Sequence, residues 1–145
     1  MKFVPGRCVS IAGKGVLLLG VRGSGKSDLC LRLIDGGATL VGDDQLEIER
    51  RGDDVFAQAP DKLAGLLEGH GLGILKNVDS VSEIKLEIVV SLDAQENIER
   101  LPEAETYHLL GASLLHIKLN AFAPSTCAKI RAILRYDSLA QDQLL

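Results

Sequence analysis

The hydrophobic and polar positions of this chain predict many short strands. Apolar and polar side chains alternate in residues 46–50 and 114–119 and partly in Arg7–Ile11, which is typical of strands with one buried face. The mostly apolar stretches 15–19 and 85–92 are typical of strands buried inside a sheet. Further short strands are predicted at residues 38–41, 55–57 and 107–110.

Turn residues between these stretches organise them into hairpins. The turn at residues 12–15 joins the first strand to the strand 15–19, and the turn at residues 52–54 joins the strands 46–50 and 55–57. The segment 67–75 carries glycines at alternate positions, which excludes a helix and favours a close-approach loop between strands.

Two stretches have apolar residues at helical spacing. The first, residues 27–35, ends at Gly36 and Gly37, and the second, residues 127–139, begins after Ser125 or Thr126 as the N-cap. A weaker short helix is predicted from Pro60 through residue 66, and residues 140–145 are expected to fray. The chain therefore predicts one strand-rich α/β domain over residues 1–145, without the regular strand–helix alternation of a doubly wound fold.

The stretch between the strand 15–19 and the first helix carries the strongest chemical signal. It reads G-x-x-x-x-G-K-S, the P-loop motif, in which backbone N–H groups and the start of a helix surround phosphate groups. Strand, glycine-rich loop and helix follow one another as this motif requires, so a mere glycine-rich turn is the weaker alternative. The residues predicted to bind the nucleotide phosphates are Gly20, Val21, Arg22, Gly23, Ser24, Gly25, Lys26 and Ser27. In this motif the lysine reaches the β- and γ-phosphates and the serine hydroxyl ligates Mg²⁺.

The composition excludes several classes of function. The formal net charge is −4, and the only aromatic residues are two Tyr and three Phe, so neither a basic face nor a stacking surface for nucleic acid is expected. No apolar run is long enough to cross a bilayer, and no secretory leader is visible, so a cytoplasmic protein is expected. The three cysteines are widely spaced, which favours reduced thiols over a metal or redox site.

Carboxylates follow the strand that comes after the first helix. Asp43 and Asp44 would lie beside the terminal phosphate if this strand neighbours the P-loop strand, with one carboxylate for Mg²⁺ and one to accept a proton. Glu68 is the next candidate, and a turn-capping aspartate pair and a sheet-edge glutamate are the structural alternatives. His70 and Arg22 are ambiguous, and the histidines at 108 and 116 are expected to be structural.

Together these segments resemble one family. The loop 20–27, the sequence Leu-Val-Gly-Asp-Asp at 40–44 and the sequence Leu-Glu-Gly-His-Gly-Leu-Gly-Ile at 67–74 resemble the HPr kinase/phosphorylase catalytic domain, in a short form without the N-terminal domain. The resemblance implies a fold of the HPr kinase/PEP carboxykinase type, with a central sheet, a P-loop helix and a C-terminal helix.

The resemblance also implies an activity. Members transfer the γ-phosphoryl group of ATP to a serine of the phosphocarrier protein HPr and can reverse this with inorganic phosphate, as homo-oligomers that are commonly hexamers. Carried over to this chain, Asp43 would be the general base, Lys26 would hold the phosphates, and Ser27, Asp44 and Glu68 would support Mg²⁺.

Three positions depart from the family pattern. The family usually has Ser at Arg22, Arg at His70, and His at the position aligned with Pro5. These departures leave open a nucleotide-binding regulator with impaired catalysis. A P-loop kinase of a small molecule, with the same site but a substrate pocket in place of a protein-docking face, is a further alternative.

Overall fold

The computed structural model describes residues 2–136, which contain eleven β-strands and two α-helices. The helices are α1 (Lys26–Asp35) and α2 (Thr126–Arg135). The strands are β1 (Lys2–Pro5), β2 (Arg7–Ile11), β3 (Lys14–Leu19), β4 (Thr39–Gly42), β5 (Gln45–Arg51), β6 (Asp54–Gln58), β7 (Leu67–Gly69), β8 (Gly73–Leu75), β9 (Ile84–Leu92), β10 (Glu105–Leu109) and β11 (Ala112–Leu119). None of the helices in this range is long and apolar enough to span a membrane.

Strand β9 lies at the centre of the sheet. Its second half pairs in parallel with β3 on one side and β11 on the other, and β6 pairs antiparallel with its first residues. On one side of β9 the strand order is β3, β2 and β4. On the other side, β11 and then β10 lie beside its second half, and β6, β5 and β1 follow from its first residues. Ile88, Val90 and Leu92 contribute to one apolar core and Leu86 and Val89 to a second, which explains why the sequence of β9 is mostly apolar.

The two cores lie on opposite faces of β3 and β9. On one face, Val16 and Val90 pack with Leu29 and Leu33 of α1 and Ile130 of α2. On the other face the core is formed by fully buried side chains of β2, β3, β5, β6 and β9: Cys8, Leu17, Ile48, Val55 and Val89.

The strand order brings three chain segments to one edge of the sheet. Strands β3 and β4 both run antiparallel to β2, which lies between them, so β3 and β4 end where β2 begins. The loop 20–27 follows β3, Asp43 follows β4, and Arg7 opens β2 beside Leu18. An edge where parallel strands end is the usual place for a ligand site in an α/β sheet.

Most of the predicted elements are confirmed, including both early hairpins and the helix after the loop 20–27. The interpretation of residues 67–75 as a loop was wrong, because β7 and β8 pair across a turn at residues 70–72 and satisfy each other's backbone groups. The helix predicted from Pro60 is only a 3₁₀ turn over Asp61–Leu63, which ends because Ala64 adopts a ψ of 129°, outside the helical range. Strand β1 was not predicted.

The second long helix begins where the sequence indicated, but without the expected side-chain cap. Ser125 is the N-cap residue and makes no capping hydrogen bond, whereas the Thr126 hydroxyl donates to the carbonyl oxygen of Asn120. The predicted helical residues 137–139 and the predicted frayed end 140–145 lie outside the described residues.

Candidate active site

The loop 20–27 curls tightly between β3 and α1. The N–H of Ser24 donates to the carbonyl oxygen of Val21 over 3.0 Å, and Gly23 and Gly25 adopt left-handed backbone angles, with φ 84° and 94°. Gly25 is the N-cap of α1, so the first N–H groups of the helix face the loop. The Ser24 hydroxyl is buried and has no hydrogen-bond partner among the described residues.

Lys26 folds back over the loop that precedes it. Its Nζ donates hydrogen bonds to the carbonyl oxygens of Gly20 and Val21, the latter over 3.3 Å. Burial lowers the pKa of Lys26, the positive charge of Arg7 lowers it further, and the carboxylate of Asp44 opposes the shift. The structure therefore brings Lys26, Arg7 and Asp44 within electrostatic reach of one another.

Both carboxylate oxygens of Asp43 have partners. Oδ2 accepts a hydrogen bond of 2.8 Å from the backbone N–H of Glu68, and Oδ1 lies 2.7 Å from Nε of Arg7. The second contact is an ion pair by distance, but the N–H is not aligned for a hydrogen bond. Burial raises the pKa of Asp43, the Glu68 N–H and the Arg7 charge lower it, and the neighbouring carboxylates of Asp44 and Glu68 raise it.

Asp44 and Glu68 lie on the solvent side of Asp43. Both residues are exposed, and Asp44 adopts φ 87°, while its carbonyl oxygen accepts a 2.9 Å hydrogen bond from the N–H of Gly6. Within residues 2–136, no three His, Cys, Asp or Glu residues are placed to hold a metal ion by themselves. Mg²⁺ commonly uses one or two carboxylates together with substrate phosphates, so this arrangement suits a metal that arrives with a nucleotide.

The residues present fit a bound polyphosphate. The loop offers an unpartnered hydroxyl, a lysine that contacts only carbonyl oxygens, and glycines at its crowded positions. A Cβ on Gly25 would lie 2.7 Å from the Cβ of Ala121, so a side chain would fill the space next to the loop.

A cleft of about 510 Å³ opens beside the loop. Residues 21–24 form one wall, residues 92–96 form another, and Asn120 and Phe122 close it. Phe122 is 65% exposed, and its ring lies close to Gly25. The exposed Arg22 lies in the wall of this cleft.

Sequence reasoning missed Arg7. Its partner Asp43 is 36 positions away in the chain, and only the register of β2 against β3 and β4 brings the two side chains together. The polar start of an otherwise buried strand was the one available signal. Of the three departures, Pro5 pairs with Gln45 next to the aspartates, whereas His70 is exposed in the turn between β7 and β8.

Comparison with known proteins identifies the family. The model of the HPr Serine kinase C-terminal domain matches residues 1–134. The chain belongs to this family. Curated relatives named HPr kinase/phosphorylase include that of Peptoclostridium acidaminophilum, which is 43% identical over 76% of this chain, and that of Caldanaerobacter subterraneus, which is 34% identical over 88%. These alignments span 36% and 43% of the relatives' own lengths, so the chain covers about two fifths of such proteins.

A solved structure shares the fold of this chain. The HPr(Ser) kinase/phosphatase from Coxiella burnetii superposes with a TM-score of 0.82, covering 93% of this chain and 89% of that one, at 24% identity. The sheet-rich α/β architecture of this chain is therefore that of the solved HPr kinase/phosphatase.

Proposed function

We propose that this chain is an ATP- and Mg²⁺-dependent serine kinase domain that phosphorylates the phosphocarrier protein HPr. The observation that carries the proposal is the convergence of Lys26, Asp43 and Asp44 at the edge where β3 and β4 end. Phosphoryl transfer requires mainly positioning and charge stabilisation, so a phosphate-binding loop and a nearby carboxylate base suffice.

Each residue has a defined part in this proposal. Residues 20–27 hold the phosphates of ATP, and Lys26 leaves the carbonyl oxygens of Gly20 and Val21 to contact them. Asp43 accepts the proton of the substrate serine hydroxyl. Ser27, Asp44 and Glu68 would hold Mg²⁺, whose charge neutralises the phosphate oxygens when it is bound.

One observation favours a second candidate function. Asp43 contacts both Arg7 and the Glu68 N–H, which is also the arrangement expected of a carboxylate that only holds neighbouring segments together. In a nucleotide-binding regulator with impaired catalysis this arrangement would persist when ATP is bound. In a kinase, a remaining lone pair of the same carboxylate would accept the hydroxyl proton.

The protein substrate and the assembly are also part of the proposal. Leu72 and Ile74 of the β7–β8 hairpin are 62% and 63% exposed, close to Glu68. Exposed apolar side chains beside a site support contact with a protein, either HPr or a neighbouring subunit of a homo-oligomer. A P-loop kinase of a small molecule would not need such a surface.

The first prediction is that Asp43→Asn abolishes transfer but not binding. With labelled ATP, Mg²⁺ and HPr of the same organism, we expect the transfer rate to fall by about 100-fold or more, because general-base catalysis contributes about that much. ATP affinity measured by calorimetry should change by less than about threefold. Asp53→Asn, in the exposed turn between β5 and β6, is the control and should retain the wild-type rate.

Three results would contradict the proposal. Wild-type turnover by Asp43→Asn would exclude Asp43 as the base, and tight ATP binding by the wild type without labelled HPr would support the regulator. Labelling of small hydroxyl compounds but not HPr would support the small-molecule kinase.

A further inference from the structure

An arginine that the proposed reaction does not use lies inside the site. The side chain of Arg7 is 13% exposed, and its Nε is paired with Oδ1 of Asp43. Within residues 2–136, its two terminal Nη nitrogens donate no hydrogen bond to the protein. The Nε N–H is not aligned for a hydrogen bond with Asp43 either, so the guanidinium pairs with the carboxylate by charge and its N–H donors remain available to another acceptor.

Arg7 lies between two strand ends, next to the loop. Arg7 pairs with Leu18, two residues before the loop begins, and the next residue of β2, Cys8, pairs with Gly42, directly before Asp43. The positive charge of Arg7 lowers the pKa of Lys26. Arg7 therefore lies beside Asp43 and close to the end of β3, from which the loop with Lys26 starts.

The charges around Arg7 favour an additional anion at this point. The positive charges of Arg7 and Lys26 repel each other, and Lys26 is bound only to neutral carbonyl oxygens. A phosphate group between the two cations would replace their mutual repulsion with two charge-assisted contacts.

We propose that Arg7 binds the terminal phosphate of the nucleotide held by residues 20–27 while it keeps its contact with Asp43. The Nε edge holds the carboxylate, and the Nη edge donates to phosphate oxygens, a planar geometry that lysine cannot reproduce. This inference rests on the proposed function, since it requires a nucleoside triphosphate in the loop. It makes Arg7 the residue that distinguishes a triphosphate from a diphosphate and sets Asp43 beside the group to be transferred.

The test compares the affinities of two nucleotides in Arg7→Met. Binding of ADP and of the non-hydrolysable ATP analogue AMP-PNP, each with Mg²⁺, is measured by calorimetry. We expect Arg7→Met to weaken AMP-PNP by about tenfold or more and ADP by less than about twofold, because only AMP-PNP carries the contacted group. Arg50→Met, at the far end of β5, is the matched control and should change neither affinity.

A second comparison separates direct contact from shielding of Asp43. Removal of Arg7 also leaves Asp43 unpaired, and the bare carboxylate would repel the terminal phosphate without any contact from Arg7. In the Asp43→Asn background this repulsion is absent. If Arg7 contacts the phosphate, Arg7→Met should still weaken AMP-PNP about tenfold in that background.

The outcomes are distinct. An unchanged AMP-PNP affinity in the double variant, or equal weakening of ADP and AMP-PNP in Arg7→Met, overturns the inference but leaves the proposed function intact. Failure of the wild type to bind either nucleotide overturns both. If Arg7→Met does not fold, as judged by circular dichroism, Arg7→Lys provides the same test: it keeps one charge and should lose part of the preference for AMP-PNP.

Discussion

Gly25 is a single residue on which the conformation of the loop 20–27 depends. Its φ of 94° is costly for any residue with a Cβ, and a Cβ there would lie 2.7 Å from Ala121 and 3.1 Å from the Phe122 ring. Both the backbone angle and the crowding therefore require glycine where the loop turns into α1. The motif predicted this residue from spacing alone, and the structure supplies the reason.

Gly25→Ala should lose both stability and nucleotide binding. The strained angle alone costs about 1–2 kcal/mol, and the contact with Ala121 forces the loop to move as well. Gly13→Ala is the matched control, because Gly13 has φ 80° but no atom near the added Cβ and lies at the other end of β3. Urea unfolding and ADP calorimetry should show that Gly13→Ala loses stability only. Retained ADP affinity in Gly25→Ala would contradict the crowding argument.

The residues of the site differ in how far the sequence could predict them. Lys26 and Ser27 follow from a local motif. Asp43 and Asp44 follow from their place after a strand, but that strand, β4, was expected to neighbour β3 and is separated from it by β2. Arg7 could not be found this way, because its role depends on which strands neighbour β2, and non-local pairing has no local signature. Whether these residues perform the predicted chemistry stays a prediction.

At the scale of elements, the β7–β8 hairpin fixes the position of the Glu68 N–H. Leu67 is 1% exposed and packs in the core with α1, and the N–H of Val78 donates to Gly65 over 3.0 Å to close the base of the segment. The alternate glycines were interpreted as a loop because each weakens a strand. The pairing of β7 with β8 could not be predicted from hydrophobic periodicity, because each strand has only three residues.

Leu67→Ala should lower the free energy of unfolding and loosen the Glu68 N–H contact with Asp43, although Leu67 itself is not a site residue. Removing a fully buried leucine side chain costs about 2–5 kcal/mol, and the loosened β7 no longer holds its N–H against Asp43. Leu72→Ala, in the same hairpin but 62% exposed, is the control and should leave the free energy of unfolding within about 0.5 kcal/mol. Urea unfolding compares the two, and equal losses would show that the hairpin is not anchored through Leu67.

At the scale of the whole molecule, His116 of β11 connects its own strand to β9 and β10. Its Nε2 lies 2.7 Å from the Ser91 hydroxyl of β9, its Nδ1 lies 3.4 Å from Glu105 of β10, and its ring meets Tyr107 edge-on at 5.4 Å. Burial lowers the pKa of His116, the Glu105 carboxylate raises it, and Lys118 lowers it. This agrees with the structural role predicted for this histidine.

The free energy of unfolding should therefore fall as the pH drops below about 6.5. Because the folded pKa lies below the unfolded one, the unfolded chain binds more protons in this window, so stability is complete above it and lost as the pH falls. In thermal unfolding measured between pH 5 and 8, the free energy of unfolding should depend less steeply on pH in His116→Gln than in the wild type. The glutamine keeps a partner for Ser91. The exposed His108→Gln is the control. An unchanged slope in His116→Gln would refute the assignment.

The central place of β9 has a consequence for how the chain is made. During synthesis β3 leaves the ribosome well before β9, but β11, the other neighbour of its second half, follows only after residues 93–111. Until then, five residues of an apolar strand have an open hydrogen-bonding edge, which is the surface on which nascent chains associate with one another. Translation of β10 and β11 is thus the interval in which this protein is most exposed to aggregation.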